Sequence, residues 1–383
     1  MKEWKEYKLN DICTVVSSKR IFAEQYVNEG IPFYRQKEII ELHSKQPISE
    51  PLYISNEVFS EMKKKTGVPK KGDILLTAVG VTLGIPFLVN NEEFYFKDGN
   101  LIWLKNFSEN IDSSFLYYWL DSKFGWESIY MRAIGSAQPA LTIDLVKKYK
   151  MLFPPLPTQQ KIASILSAYD NLIQNYKKQI EALQTAASEL YKEWFVRFRF
   201  PGYQTTKFEN GIPEEWKVEK LTKLVEVKYG KDHSKLDVGN IPVYGSGGIM
   251  RYCNKALYDK ETVLIPRKGS LNNIMYANKP LWTVDTMFYS VMLRKNIVKY
   301  LYYVLSKIDM ESFNAGAALP SMTTEILSHF KIIVPDNEIL ESFDKKIALI
   351  FTQIDNLQQQ ITNLTQQRDL LLPRLMSGKI NIN

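Results

Sequence analysis

One stretch of this chain occurs twice, and that repetition limits its fold more than any other feature. Residues 135–155 read GSAQPALTIDLVKKYKMLFPP and residues 316–336 read GAALPSMTTEILSHFKIIVPD, aligned without a gap at an offset of 181. Gly135 falls on Gly316, Pro139 on Pro320, Lys150 on Lys331 and Pro154 on Pro335. Further matches run in order through each half. FLYYWLDSK at 115–123 matches YLYYVLSK at 300–307, and Asp98 matches Asp285. GDILLTAVG at 72–80 matches ETVLIPRKG at 261–269, and GIPFY at 30–34 matches NIPVY at 240–244. EWKEYKLNDI at 3–12 matches EWKVEKLTKL at 215–224, where the offset has grown to 212. The second copy is therefore shorter by 31 residues, lost from its front part. These collinear matches describe one module used twice.

Each copy ends in the same periodic segment. Apolar or aromatic residues recur at Ile162, Leu166, Tyr169, Ile173, Tyr176, Ile180, Leu183, Ala187, Leu190 and Trp194, in alternating steps of four and three. That is a heptad seam, the pattern of helices packed side by side. At the offset of 181 the seam returns in phase as Phe343, Ile347, Ile350, Ile354, Leu357, Ile361, Leu364, Arg368, Leu371 and Leu375, with Arg368 its one polar break. No proline lies between Thr158 and Phe200, so the first helix can run about 40 residues, roughly 60 Å. Pro201-Gly202 stops it, and Pro373 interrupts the second helix before it fades at Gly378. A helix with one apolar seam needs a partner. The two seams can pair antiparallel within the chain, or each can pair with a helix from another protein or another copy.

The segments ahead of each helix alternate short apolar runs with turn signals. DILLTAV (73–79), IPFLV (85–89), FYF (94–96) and NLIWL (100–104) read as strands, and residues 113–133 read as one helix. In the second copy VLIP (263–266), NIMYA (273–277), LWTVD (281–285) and MFYSVML (287–293) are strands, and KYLYYVLSKI (299–308) is the helix. IPVY (241–244) reads as an edge strand, and GSGG (245–248) as a tight turn after it. The fold class is α+β. Two domains stand in tandem repeat, separated by two long helices packed as an antiparallel coiled coil. The expected boundaries are 1–157 for the first domain, 158–200 for the central spacer helix, 212–335 for the second domain and 336–378 for the C-terminal spacer helix.

Chemistry is conspicuously missing. Cys13 and Cys253 are the only cysteines, and the histidines His43, His233 and His329 stand far apart, so zinc-ligand spacing and a disulfide framework are both absent. There is no GxxxxGK[ST], no GxSxG and no glycine-rich strand-turn-helix unit. PPLP at 154–157 lacks the Asn or Asp that an amino-methyltransferase motif needs, and Pro335-Asp336 with Glu338 lacks the lysine of a nuclease site. No metal or cofactor is expected in this chain. The N-terminus has no apolar signal region and no apolar run approaches 18 residues, so the expected location is cytoplasmic. The net charge is +7, and residues 212–331, with 17 basic and 12 acidic residues, hold most of the excess. That balance is compatible with a polyanionic partner.

At this point the architecture resembles a known family, the specificity subunits of type I restriction-modification systems. The markers are EWK…L at 3–9 and 215–221, IPVYGSGGI at 241–249, IPRKGSLNN at 265–273 and AGAALPSMTTEIL at 315–327. PPLPTQQKIASIL at 154–166, LYKEWFVRFRFPG at 190–202 and LLLPRLMSGKI at 370–380 complete them. The resemblance covers nearly the whole chain. It implies two target-recognition domains, each reading one half of a bipartite double-stranded DNA target. It implies that the helices set half-site spacing and dock two methyltransferase (modification) subunits, which restriction/translocase subunits join. S-adenosylmethionine, ATP and Mg2+ would then serve the partners, and this non-catalytic chain would supply the address. The second domain departs from the first in being shorter by 31 residues.

Base readers in the major groove are commonly Arg or Lys on guanine and Asn or Gln on adenine. In the first domain these types fall in Tyr34-Arg35-Gln36-Lys37, with Lys19 and Arg20 nearby. Lys63, Lys64 and Lys65 form a basic run suited to phosphates. In the second domain Ser246 and Arg251 flank the glycine turn, and Arg267, Lys268, Asn272 and Asn273 surround Gly269. The alternative reading is a coiled-coil scaffold or adaptor whose α+β domains bind protein; a third is an enzyme with an unusual site.

Overall fold

A computed structural model describes residues 4–135, 139–314 and 320–380. Glu3 of the first EWK marker and parts of the repeated GSAQPA and GAALPS segments, including Gly316, lie outside the described residues. The chain divides into two compact units, Met1–Asn175 with Gln360–Asn383, and Tyr176–Gln359. Each is α+β, with its strands in small sheets, and each contains parts of both long helices. No helix among the described residues is long and apolar enough to cross a membrane.

The repeat reappears strand for strand in the sheets. In the first lobe Lys5–Lys8 pairs antiparallel with Lys150–Phe153, Lys5 opposite Phe153. In the second lobe Lys217–Lys220 pairs with Lys331–Val334, Lys217 opposite Val334. A four-stranded antiparallel sheet follows in each. Its order is Thr14–Val16, Leu101–Lys105, Ile74–Thr77, Pro86–Leu88 in the first lobe. It is Val225–Tyr229, Met287–Met292, Thr262–Pro266, Met275–Ala277 in the second. Two of the inner strands, Ile74–Thr77 and Thr262–Pro266, are wholly buried and apolar but for one threonine each. A parallel pair closes the pattern, Ile31–Tyr34 beside Tyr95–Phe96 and Ile241–Gly245 beside Trp282–Thr283.

Between those strands the copies diverge. The first lobe fills residues 35–73 with the helices Gln36–His43 and Asn56–Lys65. The second replaces both with one hairpin strand, Gly248–Cys253. Most of the missing length is lost here. IPVY is not an edge strand as expected: Ile241–Gly245 lies between Gly248–Cys253 and Trp282–Thr283. Pro242 is compatible with that place because the parallel pairing engages only Val243 and Tyr244.

The helix expected over 113–133 is two, Ser113–Asp121 and Lys123–Tyr130. Ser122 adopts an extended conformation and its hydroxyl accepts from the Gly125 amide, capping the second helix. Gly125 is needed there because a Cβ would stand 2.0 Å from the Trp119 carbonyl oxygen.

The first long helix spans Leu156–Tyr191. Buried Gln159 fastens its first turn: its Oε1 accepts from the Asp112 amide, and its Nε2 donates to the carbonyls of Asn110 and Pro154. The helix ends before Pro201, in a π-helical turn over Lys192–Val196. The wider turn lets the adjacent residues Trp194 and Phe195 both reach the second lobe's core. The second long helix, Asn337–Met376, runs through Pro373 rather than breaking there. Burial of Leu375 and Met376 in the first lobe's core holds the last turn in place.

The seam positions on both helices are buried or half-buried, while the residues between them are mainly exposed. In the first unit, Ile162 and Leu166 share a core with Leu375 and Met376. In the second, Ala187, Tyr191 and Trp194 share a core with Leu340, Phe343 and Ile347. The helices therefore pack antiparallel. The polar break is also paired: Arg368 Nη1 lies 2.7 Å from Asp170 Oδ1, and Asp170 Oδ2 accepts from the Tyr118 hydroxyl at 2.7 Å.

Candidate nucleic-acid interface

In each lobe a glycine turn follows the buried sheet strand and is clamped by the repeated PA/PS segment. The Gly80 amide donates to the Pro139 carbonyl at 2.8 Å, and the Leu141 amide to that of Ala78 at 2.8 Å. The second lobe repeats both bonds: Gly269 to Pro320 at 3.1 Å, and Met322 to Arg267 at 2.8 Å. Gly80 and Gly269 have φ of 81° and 83°, a left-handed geometry in which a side chain is strained.

A second segment meets this turn from the end of the parallel strand pair. In the first lobe it is Gln36, whose Nε2 donates to the Val79 carbonyl at 2.6 Å and whose Oε1 accepts from the Val79 amide at 3.3 Å. In the second it is Ser246, whose carbonyl accepts from Asn273 Nδ2 at 2.8 Å. A third segment comes from the start of each copy. Ser17 and Ser18 donate to the carbonyls of Leu101 and Phe96, and Arg20 pairs with Asp98 at 3.1 Å. In the second lobe the Lys231 amide donates to Thr283 at 2.8 Å, and Arg267 Nη1 donates to the Asp285 carbonyl at 3.1 Å. Both lobes thus present one backbone scaffold of converging loops, bearing different side chains.

The residues singled out by type divide into two groups on this scaffold. Six make hydrogen bonds or stacking contacts to other residues of the protein. Tyr34 is buried and stacks on Phe94 at 4.7 Å between centroids, and burial raises its hydroxyl pKa. Arg35 binds buried Glu38, whose hydrogen bond holds the guanidinium pKa above its ordinary value. Gln36 latches the glycine turn as described. Arg251 Nη2 donates to the carbonyls of His233 and Leu236, fixing that loop. Asn272 accepts from the Met310 amide and donates to Asp309, and Asn273 holds Ser246.

The second group is exposed in the first lobe and half-buried in the second. Lys19 and Arg20 are exposed. The Lys19 amide donates to the Tyr95 hydroxyl at 3.0 Å, and that hydroxyl lies 3.3 Å from Thr66 Oγ1, directly after the Lys63, Lys64, Lys65 run. The fold therefore places two basic stretches, remote in sequence, close together. Lys63 and Lys65 pair with Glu93 and Glu61 at the surface, and Lys37 with Glu50. Arg267, Lys268 and Ser246 gather at the second glycine turn. Lys231 and Tyr229 were not among the candidates. The offset of 212 could have found them, since it carries Lys19 onto Lys231 and Ser17 onto Tyr229. Among the described residues no group of three or more His, Cys, Asp or Glu could hold a metal ion.

Comparison with known proteins bears on this arrangement. The family model described as the type I restriction modification DNA specificity domain matches residues 1–185 and 213–370. A type I restriction enzyme specificity subunit (MjaIX) of Methanocaldococcus jannaschii is 25% identical over 422 residues, covering 100% of this chain and 94% of the relative. A putative specificity subunit of Haemophilus influenzae is 34% identical over 199 residues, covering 51% of this chain and 48% of the relative. The crystal structure of a type I S subunit from M. genitalium shares the fold, with a TM-score of 0.66 at 19% identity, covering 99% of this chain and 97% of that one.

Proposed function

Because this chain belongs to the type I restriction-modification DNA specificity family, we propose that its two lobes read the two halves of one bipartite DNA target. The observation that carries the reading is the repeated scaffold: each lobe holds the same three converging loops on the same clamped glycine turn, with different side chains on it. A conserved frame with variable tips can address two unlike half-sites. Residues 1–157 and 212–335 act as the recognition domains, and 158–200 and 336–378 as the spacer helices. Lys19, Arg20, Lys63, Lys64 and Lys65 contact the first half-site's backbone. Ser246, Lys231, Arg267 and Lys268 meet the second half-site. Tyr34, Arg35, Gln36, Arg251, Asn272 and Asn273 shape the loops.

The long helices set the distance between half-sites and dock two methyltransferase subunits, and restriction/translocase subunits join this cytoplasmic core. The partners use S-adenosylmethionine, ATP and Mg2+. They reach the target base by turning it out of the stack. A gel shift against genomic competitor DNA, with and without methyltransferase partners, separates this reading from a protein-binding scaffold. A scaffold would give no sequence-dependent shift in either condition. Four residues inserted into either long helix should lengthen the recognised gap; an unchanged gap would remove the spacing role.

A further inference from the structure

The two glycine turns occupy equivalent places but carry opposite chemistry. The clamp bonds align Ala78-Val79-Gly80 of the first lobe with Arg267-Lys268-Gly269 of the second. The first turn is apolar: Ala78, in the place of Arg267, is buried, and Val81, just after Gly80, is 79% exposed. The second presents a cation, and that cation is held. Arg267 Nη1 donates to the Asp285 carbonyl at 3.1 Å, and the guanidinium carbon stands 5.3 Å from the centre of the Tyr229 ring. Tyr229 is itself set by pairing opposite Phe288 in the four-stranded sheet and packs against that ring at 5.0 Å.

With Nη1 engaged, the other edge of the guanidinium, Nε–H and Nη2–H, has no acceptor among the described residues, and the side chain as a whole is half-buried. Two parallel donors on a rigid plane match the N7 and O6 acceptors that guanine alone presents together in the major groove. An exposed valine offers no donor. It suits the 5-methyl group of thymine.

We propose that Arg267 reads a guanine in the half-site of the second lobe, and that the equivalent turn of the first lobe reads no guanine. This rests on the reading of the lobes as DNA-recognition domains. Tyr229 acts as a positioning residue: it limits the swing of the guanidinium and does not touch the base.

The test uses the full chain assembled with its methyltransferase partners on a library of DNA duplexes, with methylation read by single-molecule sequencing. Wild-type complex should methylate a bipartite target containing a G·C pair that Arg267→Ala renders degenerate. Discrimination at that pair should fall by about 5- to 150-fold, the range for loss of one bidentate contact. Every position of the other half-site should keep its preference. Tyr229→Ala should weaken discrimination at the same pair by a smaller factor. The proposal is overturned if Arg267→Ala leaves both half-sites intact, if the affected pair is A·T, or if methylation weakens equally on all sequences. That last pattern would mark a phosphate contact. Failure of the underlying reading looks different: the wild-type complex would then methylate no bipartite target.

Discussion

The polar break in the helix seam gives a quantitative test of how the first lobe is held together. Arg368 and Asp170 form an ion pair at 2.7 Å whose side chains keep 30% and 27% of their surface. Exposed pairs contribute about 0–1 kcal/mol, and breaking a fully buried pair costs about 3–5 kcal/mol. At roughly 30% exposure, discounted for solvent screening, Arg368→Ala should destabilise the first lobe by about 2 kcal/mol. Asp170→Ala should cost more, about 3 kcal/mol, because it also strands the hydroxyl of Tyr118, which is 6% exposed. The double variant should cost less than the sum of the two, since removing the first partner already breaks the interaction. Urea unfolding gives the totals, and hydrogen exchange by mass spectrometry assigns them. Faster exchange should appear in Ser113–Asp121 and in the last turns of Asn337–Met376, with Val298–Leu305 of the second lobe unchanged. A neutral Arg368→Ala, or equal acceleration in both lobes, would refute the reasoning.

Two further predictions concern charge. Replacing Lys63, Lys64 and Lys65 by Ala should weaken DNA binding by the assembled complex uniformly across sequences. If all three contact phosphates, it should flatten the plot of log affinity against log salt by about 3 units of slope; a changed target sequence would contradict that. Burial pushes the Cys13 thiol up from 9.0 to about 12. The folded state thus keeps a proton that the unfolded chain releases. The resulting stability is fully present below about pH 9 and is lost as pH rises towards about 12, by about 1.4 kcal/mol per unit. Native protein at pH 8 should resist iodoacetamide at Cys13 until urea unfolds the lobe; rapid labelling without urea would contradict the burial.

The features most legible in the sequence are those that repeat. The matched motifs foreshadow paired sheets of the same order, and the heptad spacing foreshadows two helices joined along a seam. The seam logic is non-directional burial, which periodicity records directly. Loop chemistry is a different matter. Arg, Asn and Gln are suited to bases for the same reason that they are suited to backbone carbonyls and carboxylates. Arg251, Asn272 and Gln36 spend those donors on Leu236, Asp309 and Val79. Only the folded neighbourhood distinguishes a latch from a reader. Local rules fail where tertiary packing overrides them. Pro373 stays helical because the core holds Leu375 and Met376, and Ser122 splits a continuous apolar pattern because it can cap. Arg368 reads as a defect until Asp170 is seen across from it.

The central claim is that this chain supplies the address of a bipartite target. Single-molecule methylome sequencing of the host, with and without this gene, tests it most directly. The account predicts one methylated motif of two half-sites at a fixed gap, present with the gene and absent without it. A motif that persists after deletion, or one that is continuous rather than split, would contradict it.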